Sequence, residues 1–283
     1  MLFGGENAES YYDEGLTAAM KGDFEKAVAH FQKATTLDGA FAAAWYQLGR
    51  CWLRLGRVPE AVSSLERALT ITPRMALARV ELGYAFLKSG LHDRASAAFA
   101  AVLDEKPDTP RAALGLGYIA FQQRHWDTAF GLAERVAGTG AEPFESHYLA
   151  GRAAHAMKLD QAASNHLYTA DAQLDKLIET NPDAPEGYFL RGQIYTLTGD
   201  FARALENYAE AERCMEPGRR CRVYNEEFDL VDILAGMGWC HRKMGDPDGA
   251  RAAAERILEL KPGSQRAKWL LGEAGGDAER DRP

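Results

Sequence analysis

The chain has 283 residues, 46% of them hydrophobic and 26% charged, and its 41 Asp+Glu outweigh 33 Lys+Arg to a net charge of -8. That apolar content excludes an intrinsically disordered chain. The acidic balance argues against a dedicated nucleic-acid binder, which needs surplus cations on one face to neutralise phosphates. No apolar run reaches the roughly 18 residues of a spanning helix, so no membrane insertion is expected. Met1 to Asn7 has neither the basic nor the apolar region of a secretory signal, and four scattered cysteines make no disulfide framework. The expectation is a cytoplasmic protein with reduced thiols.

Residues 1–7 are expected to be a flexible N-terminus. Beyond them, Gly15, Gly49, Gly83, Gly117 and Gly151 recur at an interval of 34, and Gly192, Gly238 and Gly272 continue the series after insertions of 7 and 12 residues. The clearest copy carries Trp45, Leu48, Gly49, Trp52, Gly56, Ala61, Leu65, Ala68 and Pro73. The same offsets give Tyr11, Gly15, Gly22, Ala27 and Phe31 in the first copy, and Leu82, Gly83, Phe86, Gly90, Ala95, Phe99 and Pro107 in the third. Leu116, Gly117, Ala129 and Val136 mark the fourth, and Gly151, Ala154, Ala163 and Leu167 a degenerate fifth that lacks the inter-helix glycine. Tyr188, Gly192, Tyr195, Gly199, Ala204 and Tyr208 form the sixth, and Gly238, Gly245, Ala250, Ile257 and Pro262 the seventh.

At about 100° per residue, Trp45, Leu48, Gly49 and Trp52 fall on one stripe of a first helix, and Ala61, Leu65 and Ala68 on one stripe of a second. Glycine supplies the close crossing and the tight turn, and proline ends the second helix. No single pair has a self-sufficient core, so neighbouring pairs must stack.

The pattern resembles the tetratricopeptide repeat (TPR), a 34-residue helix-turn-helix. The resemblance implies an all-α, right-handed superhelical α-solenoid of antiparallel helix pairs over residues 8–274. Repeats are expected near 8–41, 42–75, 76–109, 110–143, 144–184, 185–218 and 226–264, the fifth with an extended second helix. A capping helix is expected at 265–274 and a disordered tail at 275–283. The second insertion, with Glu216-Pro217-Gly218-Arg219-Arg220-Cys221-Arg222 followed by Asn225-Glu226-Glu227, reads as a loop and an early helix start.

The resemblance also implies that positions 5, 9, 12 and 13 of each first helix line a concave groove. Over seven copies those 28 positions hold no Asp or Glu, eight aromatic residues and six Arg or Lys. Tyr46, Arg50, Arg54, Tyr84, Lys88, Tyr118, Phe121, Tyr148, Arg152, Phe189, Trp239 and Arg242 are the candidate groove residues. Tyr, Trp and Arg dominate binding hot spots, so the expected partner is a protein or peptide with acidic or aromatic groups. Packing alone also depletes acids near a core, which is the plainer account of the same bias.

Other chemistry is thin. Gly115-Leu116-Gly117-Tyr118-Ile119-Ala120 imitates a dinucleotide fingerprint but sits within an expected helix rather than after a strand. No Walker sequence or nucleophile elbow occurs, no histidine pair is spaced for one helix face, and no cofactor or metal is expected. Cys51 and Cys240 fill a small buried repeat position; Cys214 and Cys221, with the arginines beside them, have no recognised ligand spacing. A non-catalytic scaffold or adaptor is the expected function. The alternative is an assembly subunit packing through its convex or terminal surfaces, with self-association left open.

Overall fold

A computed structural model describes residues 7–224 and 226–272, and the expected tail at 275–283 lies outside them. Among the described residues are fifteen helices and one two-stranded sheet. The chain divides into two compact units between Val136 and Ala137.

The N-terminal unit holds α1 (Ala8–Met20), α2 (Phe24–Leu37), α3 (Ala42–Arg54), α4 (Val58–Ile71), α5 (Ala76–Lys88), α6 (His92–Glu105), α7 (Pro110–Gln122) and nearly all of α8 (Trp126–Ala137). The C-terminal unit holds α9 (Pro143–Ala156), α10 (Asp160–Thr180), α11 (Pro185–Thr198), α12 (Phe201–Arg213), β1 (Cys221–Val223), β2 (Glu226–Phe228), α13 (Leu230–Lys243), α14 (Pro247–Leu260) and α15 (Gln265–Leu270). Within each unit helices pack as consecutive pairs, the second helices α2, α4, α6, α10, α12 and α14 also meet the next first helix, and first helices meet first helices, as α5 does α3 and α7. This is the packing of a TPR solenoid within each unit. No helix among the described residues is long and apolar enough to cross a membrane.

Local chemistry sets the helix ends. Asn7 caps α1 by accepting from the Ser10 amide at 2.7 Å; residues 1–6 of the expected flexible N-terminus lie outside the described residues. Asp23, Asp200 and Asp246 cap α2, α12 and α14 in the same way, and proline opens α7, α9, α11 and α14. The fifth copy's second helix, α10, runs 21 residues where the equivalent α2, α4 and α6 run 14.

The recurring glycine has a definite steric cause. A Cβ on Gly83 would lie 2.5 Å from the Phe99 ring, and a Cβ on Gly115 of the following first helix would also collide with that ring. Tyr208 is held between Gly192 and Gly236 in the same manner, at 2.7 and 2.6 Å. One ring from a second helix thus fills the space between two first helices, and Phe99 and Tyr208 are fully buried. The pair interior and the inter-pair interface are one core.

The second insertion departs from expectation. It forms an antiparallel hairpin pairing Cys221 with Phe228 and Val223 with Glu226, and α13 starts at Leu230, not near Asn225. A capping box explains the later start. Asp229 accepts from the Val231 and Asp232 amides, and Asp232 accepts from the Asp229 amide at 2.9 Å. Upstream, period-two alternation buries Cys221 and Phe228 while Arg222 and Glu227 pair outward at 2.8 Å.

Glycine substitutions are expected to separate by site. Gly83→Ala should destabilise the protein by about 1–3 kcal/mol through overpacking against Phe99. Gly131→Ala in α8, where a Cβ meets nothing within 4 Å, should stabilise it by about 0.5–1 kcal/mol; equilibrium unfolding in urea reads both signs. Five copies place glycine in the inter-helix turn, but the fourth has Arg124 at φ 64° and the fifth Lys158 at φ 60°. Lys158→Gly should relieve that left-handed strain and stabilise by about 1 kcal/mol, seen as a raised Tm.

Candidate functional site

Not all of the candidate residues on the first helices reach the surface. Tyr84, Tyr118, Tyr148, Phe189 and Trp239, expected to face a groove, are buried, with 2–8% of their surface exposed. For Tyr84, Tyr148 and Trp239 the cause is the adjoining helix, which a wheel drawn for one helix omits. Tyr84 meets Phe99 edge-on at 5.1 Å, and its hydroxyl donates to the Arg111 carbonyl at the start of α7, 2.8 Å away. Tyr148 donates from its hydroxyl to the Gln193 side chain on α11, and burial pushes its pKa up. Trp239 stacks on Trp269 of α15 at 4.9 Å. Arg242 is committed there too, lying 4.3 Å over the Trp269 ring and donating to that residue's carbonyl at 2.7 Å.

The N-terminal unit keeps a different set outward. Arg50, Arg54 and Lys88 are exposed, while Tyr46 and Phe121 are partly covered, Phe121 by Trp126 at 4.8 Å. Arg50 lies over the Tyr46 ring with its guanidinium 5.6 Å from the centroid and 44% of its side chain exposed. Burial is the main influence raising the Tyr46 pKa, with Glu81 adding to it and Arg50 opposing it.

Glu81 is the residue that sequence reasoning missed. It occupies position 6, outside the four positions considered, and only 9% of its side chain is exposed. Arg111 grips it with both terminal nitrogens, at 2.6 and 3.5 Å, and the Arg50 Nε stands 3.9 Å off. A buried carboxylate needs such pairing, because desolvation of an isolated charge is severe. The inner side of this unit is therefore not free of acid; its acid is sunk and neutralised.

In the C-terminal unit the hairpin covers the corresponding side. Arg152 lies 5.2 Å over the Tyr148 ring and forms an ion pair with Glu226 of β2. Phe228 stacks on Phe189 with ring centroids 3.9 Å apart, and Tyr224 stacks on Phe144 at 4.4 Å. Of the candidates on α9 and α11, the structure thus joins Tyr148, Arg152 and Phe189 to a segment of the chain itself.

The remaining chemistry is inert or partial. Gly115 and Gly117 lie inside α7, where Gly115 makes room for Phe99, so the nucleotide-like run is a packing feature. All four cysteines are free thiols, and burial pushes Cys51, Cys221 and Cys240 up to about 11, which keeps them protonated at neutral pH. His147 and His166 meet across α9 and α10 with Nδ1 atoms 2.9 Å apart, and burial, then the neighbouring imidazole, lowers the His147 pKa. No group of three His, Cys, Asp or Glu among the described residues is placed to hold a metal ion.

Comparison with known proteins agrees with this architecture. The tetratricopeptide repeat family model matches residues 12–76, 80–143, 160–216 and 236–280, more than half of the chain. The protein belongs to the tetratricopeptide repeat family. A stretch of 143 residues, 50% of this chain, is 27% identical to the RNA polymerase-associated protein CTR9 of Caenorhabditis elegans, and it spans 11% of that relative's length. Among solved structures, a tetratricopeptide repeat protein from Parabacteroides merdae is similar with a TM-score of 0.62 at 16% identity, over 95% of this chain and 99% of that one. The Cut9-Hcn1 hetero-tetramer of APC/C gives 0.72 at 16% identity, over 94% of this chain and 49% of that one. At such identities these structures share the fold.

The hairpin's hold on the C-terminal unit is directly measurable. Phe228→Ala should destabilise the protein by about 3–5 kcal/mol, because it removes a ring that is 1% exposed and stacked on Phe189; urea denaturation followed by tryptophan fluorescence reads the loss.

Proposed function

We propose that the protein is a non-catalytic scaffold or adaptor that holds a segment of a partner protein against the first helices α3, α5 and α7. Tetratricopeptide repeat proteins mediate protein–protein interactions, and this chain carries that fold along most of its length. The observation that carries the particular surface is the outward set on the N-terminal unit. Arg50, Arg54 and Lys88 stand exposed on consecutive first helices, with the half-covered ring of Tyr46 under Arg50 and that of Phe121 on α7. The acid beneath them, Glu81, is buried under Arg111. Cations next to half-covered rings make an amphipathic surface of the kind that accepts acidic or aromatic peptide groups. The corresponding side of the C-terminal unit is filled by the hairpin, so this reading confines partner binding to the N-terminal unit. Tyr118, Tyr148, Phe189, Trp239 and Arg242 then serve as the support that holds the helices in place.

Affinity capture from native lysate tests the surface. Arg54→Glu/Lys88→Glu should lose the partners retained by the wild type, whereas Arg67→Glu, an exposed charge change on the second helix α4, should retain them. Identical captured sets for both variants would refute the assignment.

A further inference from the structure

Two copies of the repeat carry the same pair on their first helix, tyrosine at position 5 and arginine at position 9. They are Tyr46 and Arg50 on α3 and Tyr148 and Arg152 on α9. The pair also adopts the same arrangement in both places, the guanidinium lying over the ring at 5.6 Å in α3 and 5.2 Å in α9. In α9 the arrangement has an occupant. Glu226, borne on an extended strand, places its carboxylate on Arg152, whose side chain is 26% exposed. In α3 the same arginine is 44% exposed, and the nearby acid, Glu81, is held at 2.6 Å by Arg111 and stands 3.9 Å from Arg50. Arg50 also donates to Gln47 at 3.0 Å, which steadies the guanidinium without neutralising it.

The geometry points to the Tyr46–Arg50 pair as a docking seat for the carboxylate of an acidic, extended segment of a partner protein, with the chain's own Glu226 strand as its template. This inference rests on the proposed binding face and names the chemistry that the face reads. The arginine held over a ring is pre-oriented, so less side-chain freedom is lost when a carboxylate arrives, and its planar fork matches two carboxylate oxygens. The seat differs from its template in its flanks. Phe144 and Phe189 hold the rings of Tyr224 and Phe228 around Arg152, whereas Ala42 and Val80 occupy the corresponding positions near Arg50. The acid is therefore the shared determinant, and the partner needs no aromatic residues on either side of it.

That difference supplies a discriminating probe. A fluorescein-labelled octapeptide, Arg-Val-Ala-Asn-Glu-Glu-Ala-Asp, copies residues 222–229 with both rings removed, so it lacks what the α9 seat would demand. Titrated with the full chain and followed by fluorescence anisotropy, it should bind saturably and weaken about tenfold or more in Arg50→Ala. A version with glutamine at both glutamates should bind as poorly to the wild type. Raising salt from about 50 to about 200 mM should lower the affinity, and Arg152→Ala should leave it unchanged. Arg50→Glu should in turn bind a version with lysine at both glutamates, a recovery that loss of folding would not produce. Absence of saturable binding, or binding that ignores Arg50 or depends on Arg152, would overturn the inference. If binding ignores Arg50 while partner capture still requires Arg54 and Lys88, the docking seat fails and the wider face stands. If capture ignores them as well, both fail.

Discussion

The fold depends on one steric arrangement, a large side chain from each of the second helices α2, α4, α6, α10 and α12 lodged against a first-helix glycine. Phe99 between Gly83 and Gly115 and Tyr208 between Gly192 and Gly236 show its full form, with the ring touching two first helices at once. A lone helix pair of this size buries too little apolar surface to outweigh its conformational entropy. A ring shared between neighbouring pairs makes each interface part of the interior of both. Cooperation along each unit follows from that sharing.

The same stacking decides what remains for a partner. Within a unit a first helix such as α5 or α11 is overlapped along one edge by the next, so residues that look like contact rings on an isolated helix become interior ones. Tyr84 and Tyr148 illustrate it, each with its hydroxyl satisfied by the following first helix. Burying a tyrosine is tolerable when its hydroxyl finds such a partner. What escapes the overlap lies at the ends of the side chains that reach furthest. Arginine and lysine keep their charges in water while their stems cover the rings, as Arg50 does over Tyr46.

The hairpin gives the two units different characters. In the C-terminal unit it brings an acid to Arg152 and a ring to Phe189, completing pairs that a first helix alone leaves open. Its buried face is continuous with the core that holds Tyr208 and Ile233, so it is as much a structural element as the helices around it. The N-terminal unit has no such insertion, and its neutralising acid, Glu81, comes from within a helix.

The periodic glycines, the alternating apolar stripes and the terminal prolines fixed the helical class, the family resemblance and most helix positions from sequence alone. They are local or strictly periodic signals, and a helix imposes its period whatever its neighbours do. The hairpin escaped because two three-residue strands carry a weak period-two signal beside an acid-rich run that imitates a helix start. Its reality depended on partners far along the chain: Phe189 for Phe228, Phe144 for Tyr224 and Arg152 for Glu226. The candidate surface divided in the same way. Which residues share a first-helix side was legible from the 34-residue interval, but which of them stay exposed was decided by the overlap of adjoining helices. The pairing of Glu81 with Arg111, thirty residues away, was likewise a product of stacking. Exposure and charge pairing depend on distances between segments, and a sequence read one helix at a time carries no such distances.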